Sequence, residues 1–103
     1  MKFFIFLISI LISNFHVFPQ WVQVNPIPDP ITGQNYYSVH FIDSLNGWAV
    51  GNRGIIVHST DGGSYWVQQE SGVSSVLRKI RFADSLNGWA TGDSGVILHT
   101  TNG

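Results

Sequence analysis

Residues 37–62 read YSVHFIDSLNGWAVGNRGIIVHSTDG, and residues 78–103 read RKIRFADSLNGWATGDSGVILHTTNG. Laid over one another without a gap, at a constant offset of 41, fourteen of the 26 pairs are identical. The identities are Phe41/Phe82, the run Asp43–Ala49 over Asp84–Ala90, Gly51/Gly92, Gly54/Gly95, Ile56/Ile97, His58/His99, Thr60/Thr101 and Gly62/Gly103. Two architectures repeat at this distance: propeller blades, at about 40 to 45 residues, and helical pairs of the HEAT and armadillo type. Glycine separates them. Asn46-Gly47, Gly51, Gly54 and Gly62-Gly63 interrupt the repeat too often for a helix of ten or more residues. Between the interruptions lie Tyr37 to Phe41, Trp48 to Val50, Ile55 to His58 and Tyr65 to Gln69, short segments rich in aromatic and β-branched residues. Four such strands per repeat make a propeller blade, and the fold class expected is all-β, with blades of four antiparallel strands.

The turns between these strands have definite requirements. Asn46-Gly47 and Asn87-Gly88 are expected to take positive φ, as a two-residue hairpin loop needs if its twist is to match the strands. Asp43 and Asp84 then stand where a carboxylate accepts from backbone N–H groups two residues on. A residue needed in every repeat serves the turn; a catalytic acid is needed once.

The run Ser59-Thr60-Asp61-Gly62-Gly63-Ser64-Tyr65-Trp66 resembles the Asp-box, whose pattern is Ser or Thr, any, Asp, any, Gly, any, Thr, Trp. Ser59, Asp61, Gly63 and Trp66 match, and Tyr65 stands in place of Thr. A second box starts at Thr100, with Asn102 in the Asp place. The resemblance implies that the box is the turn between the third and fourth strands: the Asp ties the loop, the Gly allows its tight path and the Trp packs beneath it. With the preceding Asn-Gly-Trp-Ala-x-Gly-x-x-Gly run, residues 37–103 resemble the propellers related to photosystem II stability and assembly factors. Asp-boxes also occur in sialidases, xyloglucan-degrading hydrolases and sorting receptors, and a shared fold does not carry a shared activity.

Ahead of the repeats, Met1-Lys2 and the apolar run from Phe3 to Ile12 have the make-up of a signal peptide, too short for the roughly 20 residues of a membrane-spanning helix. Trp21-Val22-Gln23 then repeats Trp66-Val67-Gln68. It reads as a lone outer strand that completes the last blade of a longer protein and removes exposed sheet edges. Residues 25–35, with three of the four prolines, read as the connector into the first blade. The expected organisation is a signal peptide over 1–20, closing strand and connector over 21–36, blade 1 over 37–77 and an incomplete blade 2 over 78–103. About one and a half blades leave faces uncovered, so residues 21–103 alone are expected to aggregate or stay molten.

Composition narrows the function. Charged residues are 11% of the chain, the formal net charge is -1, and no run of Lys or Arg offers a footprint for nucleic acid or for an anionic membrane. Without cysteine there is no disulfide and no thiolate chemistry. His58 and His99 recur in register on different blades, a blade width apart and too far for one metal ion, while His16 and His40 have no evident partner. Asp29, Glu70 and Asp93 show no pairing of the kind glycoside hydrolysis needs, and Arg53, Arg78 and Arg81 lack the spacing of a sialidase. Trp48, Trp66 and Trp89 recur with the repeat and are assigned to packing between blades. No catalytic, cofactor-binding or metal-binding residue is expected. The chain is read as an exported, non-catalytic module that binds a protein partner; the alternative is a carbohydrate-binding or glycoside-hydrolysing propeller whose active residues lie elsewhere.

Overall fold

The structure, a computed structural model, describes residues 20–24 and 34–103. The expected signal peptide, apart from Gln20, and most of the connector lie outside the described residues. Seven strands follow: β1 Tyr36–Phe41, β2 Gly47–Gly51, β3 Ile56–Ser59, β4 Val67–Gln69, β5 Leu77–Phe82, β6 Gly88–Gly92 and β7 Ile97–Thr100. They form two antiparallel sheets, β1-β2-β3-β4 and β5-β6-β7, each a meander in chain order. The fold is all-β and part of a propeller, and strand for strand the second sheet repeats the first at the offset of the sequence repeat. Trp21 to Val24 lie in no strand, and their side chains are exposed.

Register decides which side chains meet. Ser38, His40, Trp48, Val50, Ile56 and His58 oppose one another across β1, β2 and β3 and therefore share one face of the first sheet. This face packs on Ile80, Phe82, Ala90 and Leu98 of the second sheet, and the two layers close one apolar cluster. At its centre the Trp48 indole is sandwiched between His58 of its own sheet, with centroids 4.4 Å apart, and Phe82 of the next, 3.6 Å apart. Trp48 is 0% exposed. Its counterpart Trp89 has the equivalent stack on His99, at 4.6 Å, but no second ring over it among the described residues, and is 43% exposed. Val39 and Phe41 are likewise exposed on the far face of the first sheet. Each sheet thus offers one face to the blade before it and one to the blade after.

Positive φ sits elsewhere than the sequence suggested. Asn46-Gly47 and Asn87-Gly88 do not adopt it, whereas Arg53-Gly54, at 55° and 69°, and Ser94-Gly95, at 61° and 73°, do. These form the β2–β3 and β6–β7 turns, where two successive left-handed residues match strand twist. Gly47 and Gly88 are strand residues instead. Each pairs with a phenylalanine across the hairpin, and a Cβ there would lie 2.5 Å from the Phe41 or Phe82 ring. The glycine is required by an aromatic ring laid across the strand, not by backbone handedness.

Candidate functional site

Chain direction puts the turns at two opposite ends of the sheets. One end carries the β1–β2 and β3–β4 turns of the first blade and the β5–β6 turn of the second. At Asp43, Oδ1 accepts from the Leu45 and Asn46 backbone N–H groups at 2.8 and 2.7 Å, and Asn46 Nδ2 donates to both carboxylate oxygens. Asp84 repeats this with Leu86 and Asn87, both at 2.8 Å. In the neighbouring turn, buried Ser59 Oγ accepts from Gly63 N at 2.8 Å and donates to Asp61 Oδ1 at 2.9 Å. Asp61 Oδ1 also accepts from Tyr65 N at 3.0 Å. Trp66 folds under the loop and donates Nε1–H to Gly63 O at 2.8 Å. One period on, Thr100 Oγ1 donates to Asn102 Oδ1 at 2.9 Å. The two turns are joined, because Gly62 N donates to Leu45 O and Gly103 N to Leu86 O.

These bonds govern the chemistry of the acids. Backbone donors from Asn46 and Leu45 hold the Asp43 carboxyl below the usual carboxylate range, and donors from Leu86 and Asn87 do the same for Asp84. Tyr65 N–H, then the Ser59 hydroxyl, lower Asp61. An acid held ionised by the turn it closes is a poor proton donor at neutral pH. Among the described residues no three His, Asp or Glu side chains converge on a point where a metal ion could sit.

The opposite end presents different groups. The pairing of β1 with β2 slips between Tyr36 and Ser38, and that of β5 with β6 between Leu77 and Lys79, so Tyr37 and Arg78 are bulge residues one period apart. Bulges re-aim side chains. Here they bring the two residues together across the blade boundary, with Arg78 Cζ 5.4 Å from the Tyr37 ring centroid. Arg78 also grips Asp93, in the β6–β7 turn, through Nε–Oδ1 at 2.6 Å and Nη2–Oδ2 at 3.1 Å. The hydrogen bond to Asp93 raises the Arg78 pKa, and the same bond lowers that of Asp93. Both side chains are exposed, so this mutually bonded bidentate pair lies at the solvent surface. Neither this pairing nor its place was readable in the sequence; Asp93 was an acid without a partner there.

The innermost strands hold a second unforeseen contact. His40, partnerless in the sequence reading, accepts at Nδ1 from the Phe82 backbone N–H at 2.8 Å, and Ser38 Oγ accepts from Ile80 N at 3.2 Å. Side chains of one blade thereby satisfy edge N–H groups of the next. His58 Nε2, by contrast, has no hydrogen-bond partner among the described residues, and burial lowers the His58 pKa.

The family described as photosynthesis system II assembly factor YCF48 matches residues 16–103. The chain belongs to this family. Among solved structures it is similar to one titled "YCF48 bound to D1 peptide", with a TM-score of 0.62 and 28% sequence identity. That similarity covers 71% of this chain and 25% of the relative, so the chain spans about a quarter of the solved YCF48. No curated protein matches the chain. Among the described residues no helix is long and apolar enough to cross a membrane.

Proposed function

We propose that this chain is part of an exported β-propeller that acts as a non-catalytic interaction or assembly module and takes a peptide segment of a partner protein. The observation that carries this reading is the likeness to YCF48 solved bound to D1 peptide. The exposed end bearing Tyr37, Arg78 and Asp93 supports it, because it places an aromatic ring beside a solvent-exposed ion pair within one patch. An extended peptide, with backbone donors and acceptors and charged or apolar side chains, is matched by such a mixture. The turn carboxylates support the non-catalytic part, since their hydrogen bonds commit them to the fold.

In this reading Ser59, Asp61, Gly63 and Trp66 are an Asp-box, and their work is structural. The first twenty residues act as a signal peptide that delivers the propeller to the periplasm or the cell surface. N-terminal sequencing of the mature protein tests export, and retention of Met1 overturns it.

Binding is tested with the full-length protein immobilised and presented in parallel to a cell-envelope extract and to a glycan array. The expected result is one defined protein partner, with capture weakened by Arg78→Glu. Binding to glycans alone overturns the proposal and favours a carbohydrate-recognising propeller.

A further inference from the structure

Each blade carries the same labile dipeptide at the same place. Asn46-Gly47 closes the β1–β2 turn, and Asn87-Gly88 closes the β5–β6 turn. Asparagine followed by glycine is the pair most open to spontaneous deamidation, because no side chain on the second residue shields its backbone nitrogen. That nitrogen attacks the asparagine Cγ. A bond from the backbone nitrogen to Cγ forms, the bond from Cγ to Nδ2 breaks, and the side-chain nitrogen leaves as ammonia with the proton the backbone nitrogen gives up. Water then opens the cyclic imide at one carbonyl to give aspartate or at the other to give isoaspartate, and no other reactant is needed. The ring closes only if the side-chain amide and the peptide plane that follows it can turn towards each other.

The structure holds both partners of that reaction in place. Ile42 N donates to Asn46 O at 3.0 Å and Ala83 N to Asn87 O at 2.9 Å, which fixes the peptide plane carrying the glycine nitrogen. The side chain is fixed separately. Asn46 Nδ2 donates to Asp43 Oδ1 and Oδ2 at 3.2 and 3.1 Å, and Asn87 Nδ2 to the same atoms of Asp84 at 3.0 and 3.1 Å. The carboxylates are themselves tied down by the backbone N–H groups of Leu45 and Asn46, and of Leu86 and Asn87. Gly47 and Gly88 are buried strand residues paired with Phe41 and Phe82. The leaving nitrogen is therefore the atom the carboxylate grips, and the attacking nitrogen is built into the sheet.

We propose that Asn46 and Asn87 are modification sites gated by their own turns: the closed turn keeps each asparagine from its glycine, and local opening releases the pair to form the cyclic imide. The product makes the opening permanent. Aspartate at position 46 replaces two N–H donors with a second carboxylate facing Asp43, and like charges at that distance repel. Isoaspartate adds a carbon to the main chain and puts Gly47 out of step with Phe41 across the hairpin. Asp84, Gly88 and Phe82 fare in the same way when Asn87 reacts. A turn that has stayed open is thus marked, and does not return to its former register. The inference rests on the turn geometry and is independent of what the propeller binds.

The full-length protein is incubated at neutral pH, native or in guanidinium chloride, and each site is followed by mass spectrometry of its peptide, with fragment ions locating the change. Slow deamidation of both asparagines is expected in the native protein, and several-fold faster reaction at both in denaturant. In native Asp43→Ala, Asn46 is expected to react several-fold faster while Asn87 keeps the parental rate; Asp84→Ala should do the reverse, so each molecule contains its own control. Equal rates in native and denatured protein overturn the gating, and this comparison uses the unaltered chain, so it stands even where a variant does not fold. A parental rate at Asn46 in Asp43→Ala, or equal acceleration at both sites, overturns the clamp.

Discussion

Replacing Ser59 with alanine tests whether one hydroxyl holds the β3–β4 turn. Ser59 is fully buried, and its oxygen accepts from Gly63 N at 2.8 Å and, more weakly, from Asp61 N at 3.4 Å, while donating to Asp61 at 2.9 Å. Alanine leaves the buried Gly63 N–H without a partner, at a cost of about 1–3 kcal/mol. Asp61 is exposed, and water replaces most of what its carboxylate loses, so that bond adds little. A total of about 2 kcal/mol is expected, equivalent to a roughly thirtyfold rise in the opening equilibrium of the loop. Native-state hydrogen exchange of the Gly63 amide in the full-length protein reads this directly, and the denaturant midpoint gives an independent value. Ser64→Ala, at an exposed site three residues past Asp61, is the control and is expected within about 0.5 kcal/mol of the parent. If Gly63 exchange in Ser59→Ala stays at the parental rate, the hydroxyl does not hold the turn and the reasoning is wrong.

Gly88→Ala is expected to cost about 1–3 kcal/mol by overpacking, because Phe82 lies against the site at 2.5 Å and is pinned from its other side by Trp48. Gly47→Ala meets the same 2.5 Å approach from Phe41, whose ring borders solvent and can turn away, so thermal melts should show a smaller loss; a larger one refutes the difference. Acid should act in two stages. Burial lowers the His58 pKa from the ordinary 6.5, so the unfolded chain takes up that proton first and stability falls as pH drops through about 6.5; His58→Gln should flatten this stage of a pH-dependent melt series. The lowered Asp43, Asp61 and Asp84 contribute stability above the ordinary 3.8 that is lost as pH falls through their folded values, and Asp43→Ala with Asp84→Ala should blunt this second stage. Asp93→Asn removes an exposed ion pair and should move the melting temperature little, while partner capture by the full-length protein falls; an unchanged capture counts against the Arg78 end as the contact surface.

The repeat was visible in the sequence because its identities fall on residues with steric duties. Gly47, Trp48 and Asp43 have duplicates because each blade needs a ring against a strand, an indole between sheets and a closed turn. The position of the left-handed residues was hidden for the opposite reason. Arg53 and Ser94 carry no mark of positive φ, and the Asn-Gly pair that does carry one sits where Phe41 and Phe82 demand a flat strand. The Arg78–Tyr37–Asp93 patch was hidden too, because it depends on two bulges, and a bulge is a property of pairing between strands that neither strand declares alone. His40 looked idle because its partner is a backbone N–H, which has no letter in the sequence.

The joint between the innermost strands has one more implication. At the first joint Ser38 and His40 supply acceptors to the Ile80 and Phe82 amides, whereas the same places in the second blade hold Lys79 and Arg81, which can only donate. Blades that match in their turns therefore differ in polarity where they dock, and a copy seated at the wrong position would set donors against donors. Near-duplicate units run the hazard of trading places while they fold; at this seam the two blades carry opposite hydrogen-bonding character and are not interchangeable.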